Sequence, residues 1–267
     1  MTLPDIDRVC ALIRGVAQSD ILPYFRNLPE GGVRRKTGPT DLVTLADEAA
    51  ERALTAGLTA LLPGSTTLGE EAASADPAIL ERLHGDAPVW VIDPVDGTLN
   101  FAGGRPLFAV IVALVRGCET LAGWIHDPCD GRMATAVKGQ GARIDGRPAR
   151  VAPAVPLEAM TGALSTRFCE ESLGRQLAER GRALGPPACL ASAAQEYLRL
   201  LDGRSHFSLY HRLMPWDHAA GVLMHAEAGG HAALLDGTPY RPTALGGGLL
   251  LAPDRASWQA LHRHLFG

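Results

Sequence analysis

Residues 89–101 of this chain, VWVIDPVDGTLNF, constrain its architecture more than any other stretch. The apolar, β-branched and aromatic run Val89, Trp90, Val91, Ile92 reads as a buried strand. Pro94 lacks a backbone donor and is expected to stop regular pairing just after Asp93. Gly97 permits a tight turn, and Thr98 can cap the segment that follows. The expected product is a strand that delivers Asp93 and Asp96 beside a helix N-terminus. Carboxylates so placed hold hard divalent cations, and backbone N–H groups at a helix start hold phosphate. The competing reading is a plain turn, because Asp-Pro and Asp-Gly are both common turn signals. What weighs against it is the buried strand directly upstream and the acids placed elsewhere in the chain.

Composition narrows the function classes. The chain has 267 residues, 46% of them hydrophobic and 20% charged, enough for a sizeable core in one domain or two sub-domains. A net charge of -4 and an aromatic content of 5% argue against a basic nucleic-acid face and against base-stacking platforms. The five cysteines, Cys10, Cys118, Cys129, Cys169 and Cys189, are odd in number and form no CxxC pair. That suits reduced thiols and a cytoplasmic location better than a disulfide framework. The first ten residues, MTLPDIDRVC, lack a basic-then-apolar signal pattern. No apolar run approaches ~20 residues, so no membrane span is expected.

Residues 5–28 carry apolar side chains at steps of three and four, from Ile6 to Ala17, and predict an amphipathic helix. The polar, Gly/Pro-marked stretch 33–41 predicts a loop or hairpin, with Lys36 and Asp41 as solvated charges. A second helix is expected over 44–62, started by a Thr44/Asp47 capping box and stopped by Pro63-Gly64. Residues 66–68 form a short strand candidate. Strands at 107–116, 119–126 and 133–137, separated by Gly- and Asp-rich turns, predict an antiparallel meander. Pro153 and Pro156 mark the best sub-domain boundary, giving residues 1–150 and 151–267. The second half alternates: strand 159–164, helix 170–182, strand 188–190, helix 192–202, strand 206–210, helix 215–228, strand 231–235. Sheets and helices are therefore expected in layers.

Further acids join Asp93 and Asp96. Glu70 follows a predicted strand through Gly69 and can reach a shared metal, although alone it reads as an exposed loop acid beside Glu71. Asp217 falls in the first turn of a helix opened by Pro215, where a carboxylate also complements the helix dipole. Small Ala219, Ala220 and Gly221 imply close packing around it. Asp47 can serve the Thr44 cap alone. His218 and His225, seven apart, read as packed or surface side chains, since an oxygen-rich set points to Mg²⁺ rather than zinc.

Four strings in order carry a family resemblance: KTGPTDLVTLAD at 36–47, LGEE at 68–71, WVIDPVDGTLNF at 90–101 and WDHAAGVLMHAEAGG at 216–230. With them the chain resembles the inositol monophosphatase family of Mg²⁺-dependent, lithium-sensitive phosphatases. The resemblance implies an α+β fold, a layered αβαβα sandwich shared with fructose-1,6-bisphosphatase, in a homodimer. The N-terminal sub-domain would hold most metal ligands and the C-terminal one would complete the site. It implies two to three Mg²⁺ ions. Glu70, Asp93 and the carbonyl of Val95 would hold the first; Asp93, Asp96 and Asp217 the second; Glu70 would reach a third through water. Asp47 and Thr98 would position and activate the attacking water, making Asp47, Thr98 and Glu70 the catalytic set. The N–H groups of Gly97 and Thr98 would hold the phosphate. A substrate hydroxyl would meet Asp96, Asp217 and the segment Ala191, Ser192, Ala193.

One departure bears on substrate. Where the animal inositol phosphatases place a glutamate seven residues before the last metal ligand, this chain has Tyr210. Inositol 1-phosphate preference is thereby opened, and the adjacent His211 and Arg212 are candidates to meet a second anionic group. The leading expectation is a phosphomonoester hydrolase acting on inositol monophosphate or a related sugar or polyol phosphate. The alternatives are fructose-1,6-bisphosphatase-like or nucleotide 3′-phosphatase-like activity, or a catalytically silent binding protein of the same fold.

Overall fold

The computed structural model describes residues 3–35, 42–187 and 189–267. Lys36 and Asp41 therefore lie outside the described residues. The chain opens with helix α1 (Ile6–Val16), capped by the Asp5 carboxylate on the N–H groups of Asp7 and Arg8. The helix expected to reach residue 28 stops earlier. It passes through one π turn at Ala17–Ile21 and a 3-10 turn at Leu22–Tyr24. Pro23, inside that 3-10 turn, has no N–H to continue an α ladder. The hairpin is present in its two arms, β1 (Val33–Arg35) and β2 (Leu42–Thr44), paired antiparallel. Helix α2 (Leu45–Leu61) follows directly, with the Thr44/Asp47 capping box formed.

A seven-stranded sheet comes next, in the order β3-β4-β5-β6-β7-β8-β9. Its strands are β3 (Thr66–Gly69), β4 (Val89–Asp96), β5 (Ala109–Arg116), β6 (Glu119–His126), β7 (Met133–Val137), β8 (Ala142–Ile144) and β9 (Arg147–Pro148). Only β3–β4 is parallel; the rest is the expected meander. Two short helices interrupt it, α3 (Glu70–Ala75) and α4 (Thr98–Ala102). A four-stranded sheet, ordered β10-β11-β13-β12, is built from β10 (Gly162–Leu164), β11 (Phe207–Tyr210), β12 (His231–Leu234) and β13 (Leu249–Ala252). Its helices are α5 (Glu171–Arg180), α6 (Ala193–Leu201), α7 (Pro215–Glu227) and α8 (Arg255–Phe266). Of the strand expected at 188–190, Ala188 lies outside the described residues; Cys189 and Leu190 are irregular, and Pro187 makes only an isolated bridge to Gly162. Consecutive prolines at 186 and 187 remove the donors a ladder needs.

The layers follow from strand periodicity. On β4, Trp90 and Ile92 face α1 and α2, where they join Ile13, Leu54 and Leu58. Val89 and Val91 face the opposite way, towards α6 and α7 and side chains such as Tyr197, Ala220 and Met224. Leu249 and Leu251 of the second sheet close that middle layer. Leu250 and Ala252 point outward to α8 through Trp258 and Leu261. Helix, sheet, helix, sheet, helix is the resulting order, an αβαβα sandwich. Every residue of β4 is buried, because both of its faces are covered.

The two α7 histidines are core residues, and each pays desolvation. His218 Nε2 donates to the Arg212 carbonyl at 3.2 Å, and Nδ1 accepts from the Tyr197 hydroxyl at 3.1 Å. Among the described residues His225 has no hydrogen-bond partner on either ring nitrogen, and it packs against Gly230. Burial, then the nearby His231 charge, pushes its pKa down to about 3. An unfolded imidazole takes up a proton near pH 6.5, so unfolding binds a proton below that pH and stability falls by about 1.4 kcal/mol per pH unit. His225→Leu should therefore raise stability at pH 7 by ~1 kcal/mol, by removing unpaired buried nitrogens. The gain should widen as pH drops to 5. Urea denaturation at both pH values checks this; a destabilised variant with the wild-type pH slope would refute it.

Candidate active site

A bulge in β4 makes the centre of the site. Residues three apart on an unbroken strand point to opposite faces. Between the pairs Asp93↔Ile111 and Asp96↔Ala109, β4 holds one residue more than β5. Pro94 thus interrupts pairing for a single step, and the strand runs on to Asp96 instead of ending after Asp93. The Val95 N–H closes on Asp93 Oδ1 at 3.0 Å, an Asx-type turn. Both carboxylates emerge on one side. There they meet Asp217, from the first turn of α7, with one oxygen from each acid within 4.8 Å of the others.

The electrostatics of this trio call for a cation. Burial, then the charges of Glu70, Asp96, Asp217 and Asp47, raises the pKa of Asp93 well above 3.8. Asp217 is raised by burial and by Asp96 and Glu70, against a lowering by Arg212. Asp96 is raised to about 6 by burial, although three donors hold it down. These are the Ser192 hydroxyl, the Ala194 N–H at 2.9 Å and the Ala193 N–H at 3.1 Å. Three crowded carboxylates with oxygen donors only fit a hard divalent ion such as Mg²⁺. Glu70, first residue of α3, lines the same cavity but is not part of the tight trio.

Asp47 and Thr98 meet beside it. One Asp47 oxygen is spent on the cap, accepting the Thr44 N–H at 2.8 Å. The other lies 3.4 Å from the Thr98 hydroxyl, which also reaches the Val95 carbonyl at 3.1 Å. Cap and site are therefore one carboxylate with two faces. Gly97, at φ +90°, turns the chain into α4, and a Cβ there would meet the Leu107 carbonyl at 2.8 Å. The segment Ala191, Ser192, Ala193 sits against this turn, pinned where Asn100 donates to the Leu190 carbonyl at 2.8 Å.

Tyr210 lines the cavity but is mostly buried. Its ring lies 5.9 Å from Tyr197 and 4.7 Å from His218, and its hydroxyl is beside Glu196 and Ser208 without a well-aligned hydrogen bond to either. Glu196 is a cavity residue that sequence reasoning missed. Desolvation lifts its carboxyl to about 7, while the Leu190 N–H donates to it at 2.9 Å. Its signal in the sequence is a lone acid one turn after the Ser192 cap, on a helix otherwise apolar on that face. Glu51 was missed too. It accepts the N–H groups of Glu71 and Ala72 at 2.8 and 2.9 Å, so α2 caps α3 and fixes where Glu70 stands.

A layered αβαβα sandwich with acids clustered at a strand bulge is the architecture of the site, and the comparisons identify the family. The sequence matches the inositol monophosphatase family over residues 6–265, and the chain belongs to that family. It is 34% identical over 229 residues to the inositol-1-monophosphatase SuhB of Mycobacterium tuberculosis, covering 83% of this chain and 77% of that protein. It is 33% identical over 198 residues to a fructose-1,6-bisphosphatase/inositol-1-monophosphatase of Thermotoga maritima, covering 74% and 73%. Among solved structures, a Thermotoga maritima IMPase superposes with a TM-score of 0.82 at 26% identity, covering 97% of this chain and 96% of that one. The chain is accordingly an enzyme of the phosphoric monoester hydrolase type.

Proposed function

We propose that this enzyme is a Mg²⁺-dependent hydrolase of small sugar or polyol phosphates, inositol monophosphate among them. The observation that carries this is the trio Asp93, Asp96 and Asp217, three acids raised by burial and mutual repulsion at one point of a cavity. Glu70, Asp93 and the Val95 carbonyl would hold one ion, and Asp93, Asp96 and Asp217 a second. Bound there, Mg²⁺ neutralises the charge that develops on the phosphoryl oxygens and acidifies water.

The chain's own groups do the rest. Asp47, through the oxygen that faces Thr98, accepts a proton from the attacking water, and the Thr98 hydroxyl orients that water. The water oxygen bonds to phosphorus as the ester oxygen leaves with its electron pair and takes a proton from a second, solvent water, giving the alcohol. The N–H groups of Gly97 and Thr98 bind the phosphoryl oxygens. On the leaving side, Asp96 and Asp217 meet a substrate hydroxyl, with Ala191, Ser192 and Ala193 forming the wall and Tyr210 with Glu196 the floor. The names of the mycobacterial and Thermotoga relatives support an inositol or sugar phosphate as substrate.

The test is phosphate release from inositol 1-phosphate, glycerol 2-phosphate, fructose 1,6-bisphosphate and 3′-phosphoadenosine 5′-phosphate. Release that needs Mg²⁺, stops with EDTA and is inhibited by lithium is expected. No release from any ester would favour the silent binding protein.

A further inference from the structure

The cavity wall is not acidic throughout. Part of it is formed by the loop after β10, with Arg167 and Phe168, and by Arg212 between β11 and α7, whose charge reaches Asp217. Phe168 is 56% exposed and has φ +62°. A bulky L residue adopts that conformation only under strain, and strain of this kind collects at functional sites. The ring holds two guanidinium groups: Arg212 Cζ lies 4.1 Å from its centroid and Arg167 Cζ 4.9 Å. The two charges are thus within about 9 Å, those centroid distances laid end to end. The Arg212 backbone is itself anchored, since its carbonyl takes the His218 Nε2–H at 3.2 Å.

The sequence paired Arg212 with its neighbour His211. The structure pairs it with Arg167, 45 residues earlier in the chain, which the β10–β11 pairing brings alongside. His211 is half-buried, and desolvation lowers the pKa of its ring, which makes it a poorer anion partner than a guanidinium. We propose that Arg167 and Arg212, braced on Phe168, form a second anion subsite. The enzyme would then favour phosphomonoesters that carry another phosphate or a carboxylate. The subsite rests on the phosphatase reading above and specifies its substrate class. The physical logic is charge placement. Paired guanidinium forks match phosphate and carboxylate oxygens and hold them bidentately. Such an anion would be held beside the acid cluster, which is left to the scissile phosphate with its metals. The cavity, about 350 Å³, is of ligand-pocket size.

The test uses the full enzyme with Mg²⁺. We compare kcat/KM for fructose 1,6-bisphosphate and 3-phosphoglycerate with that for glycerol 2-phosphate, in wild type, Arg167→Ala, Arg212→Ala and Arg212→Lys. Each alanine variant is expected to lose at least about ten-fold more on the doubly anionic esters than on glycerol 2-phosphate, mostly in KM. Lysine should recover part of the loss, and rising salt should erode the preference. A fall on 3-phosphoglycerate as well as the bisphosphate assigns the subsite to any second anion; a fall on the bisphosphate alone assigns it to phosphate. Equal losses on all three esters, or no wild-type preference for the doubly anionic ones, would overturn it. Glycerol 2-phosphate turnover reports the phosphatase reading separately. If no ester is turned over, calorimetry with fructose 1,6-bisphosphate decides the subsite, because binding unchanged by Arg212→Ala also overturns it.

Discussion

Asp93→Asn should abolish ester hydrolysis and yet stabilise the metal-free protein. Asp93 stands in both proposed ion sites, so its loss withdraws several kcal/mol of charge stabilisation. At 1.36 kcal/mol per decade, kcat/KM should drop by about a thousand-fold or more. The stability effect has the opposite sign. The native pKa of Asp93 lies well above 3.8, so ionising it in the folded protein costs free energy that the unfolded chain does not spend. That cost is present above the raised pKa, and it fades as pH falls and the native carboxyl protonates. Asparagine removes it at pH 7. Wild type should recover the cost by binding Mg²⁺: at a hundred times Kd, ~2.7 kcal/mol is gained, or roughly 5–10 °C in Tm for a chain of this size. Thermal melts with Mg²⁺ and with EDTA should show that shift in wild type and lose most of it in the variant. A metal-free variant less stable than wild type, still shifted by Mg²⁺, would contradict the site.

Gly97→Val should damage fold and chemistry together. The position sits at φ +90°, where a β-branched residue is strained, and a Cβ there meets the Leu107 carbonyl at 2.8 Å and Ser192 Cβ at 3.1 Å. Neither neighbour is a flexible side-chain tip. Strain of this type costs about 1–3 kcal/mol before any backbone movement. The movement displaces the N–H groups proposed to hold phosphate, and a shift on the order of 1 Å is worth ~10²-fold in rate. Denaturant midpoints and glycerol 2-phosphate turnover should both fall. A variant with wild-type stability and turnover would show that this turn is neither tight nor used.

Much of the site was legible because local chemistry and long-range packing agree there. The buried run before Asp93, the Thr44/Asp47 cap and the Pro215 helix start are each short-range signals, and each appears where the sequence places it. The bulge was harder. Proline signals lost pairing but not its resumption, which depends on β5 holding Asp96 against Ala109. The false strand at 188–190 has the same origin, since apolar residues there follow two prolines that bar a ladder. Glu51, Glu196 and Arg167 were invisible for another reason: their partners, Ala72, Tyr210 and Phe168 with Arg212, matter only once distant segments meet. A charged residue on a helix or loop otherwise looks like solvated surface.

The bond between Asp96 and the start of α6 has a consequence for how such an enzyme diversifies. Asp96 is gripped by Ser192, Ala193 and Ala194, so one carboxylate joins the sheet that carries the groups proposed for the water side to the layer proposed for the leaving-group side. Asp47, Glu70, Asp93 and Thr98 all precede residue 100, whereas Arg167, Glu196, Tyr210 and Arg212 all follow residue 160. Selectivity is therefore free to drift in the later portion of the chain while the proposed hydrolytic groups stay fixed, provided that this joint and Asp217 are kept.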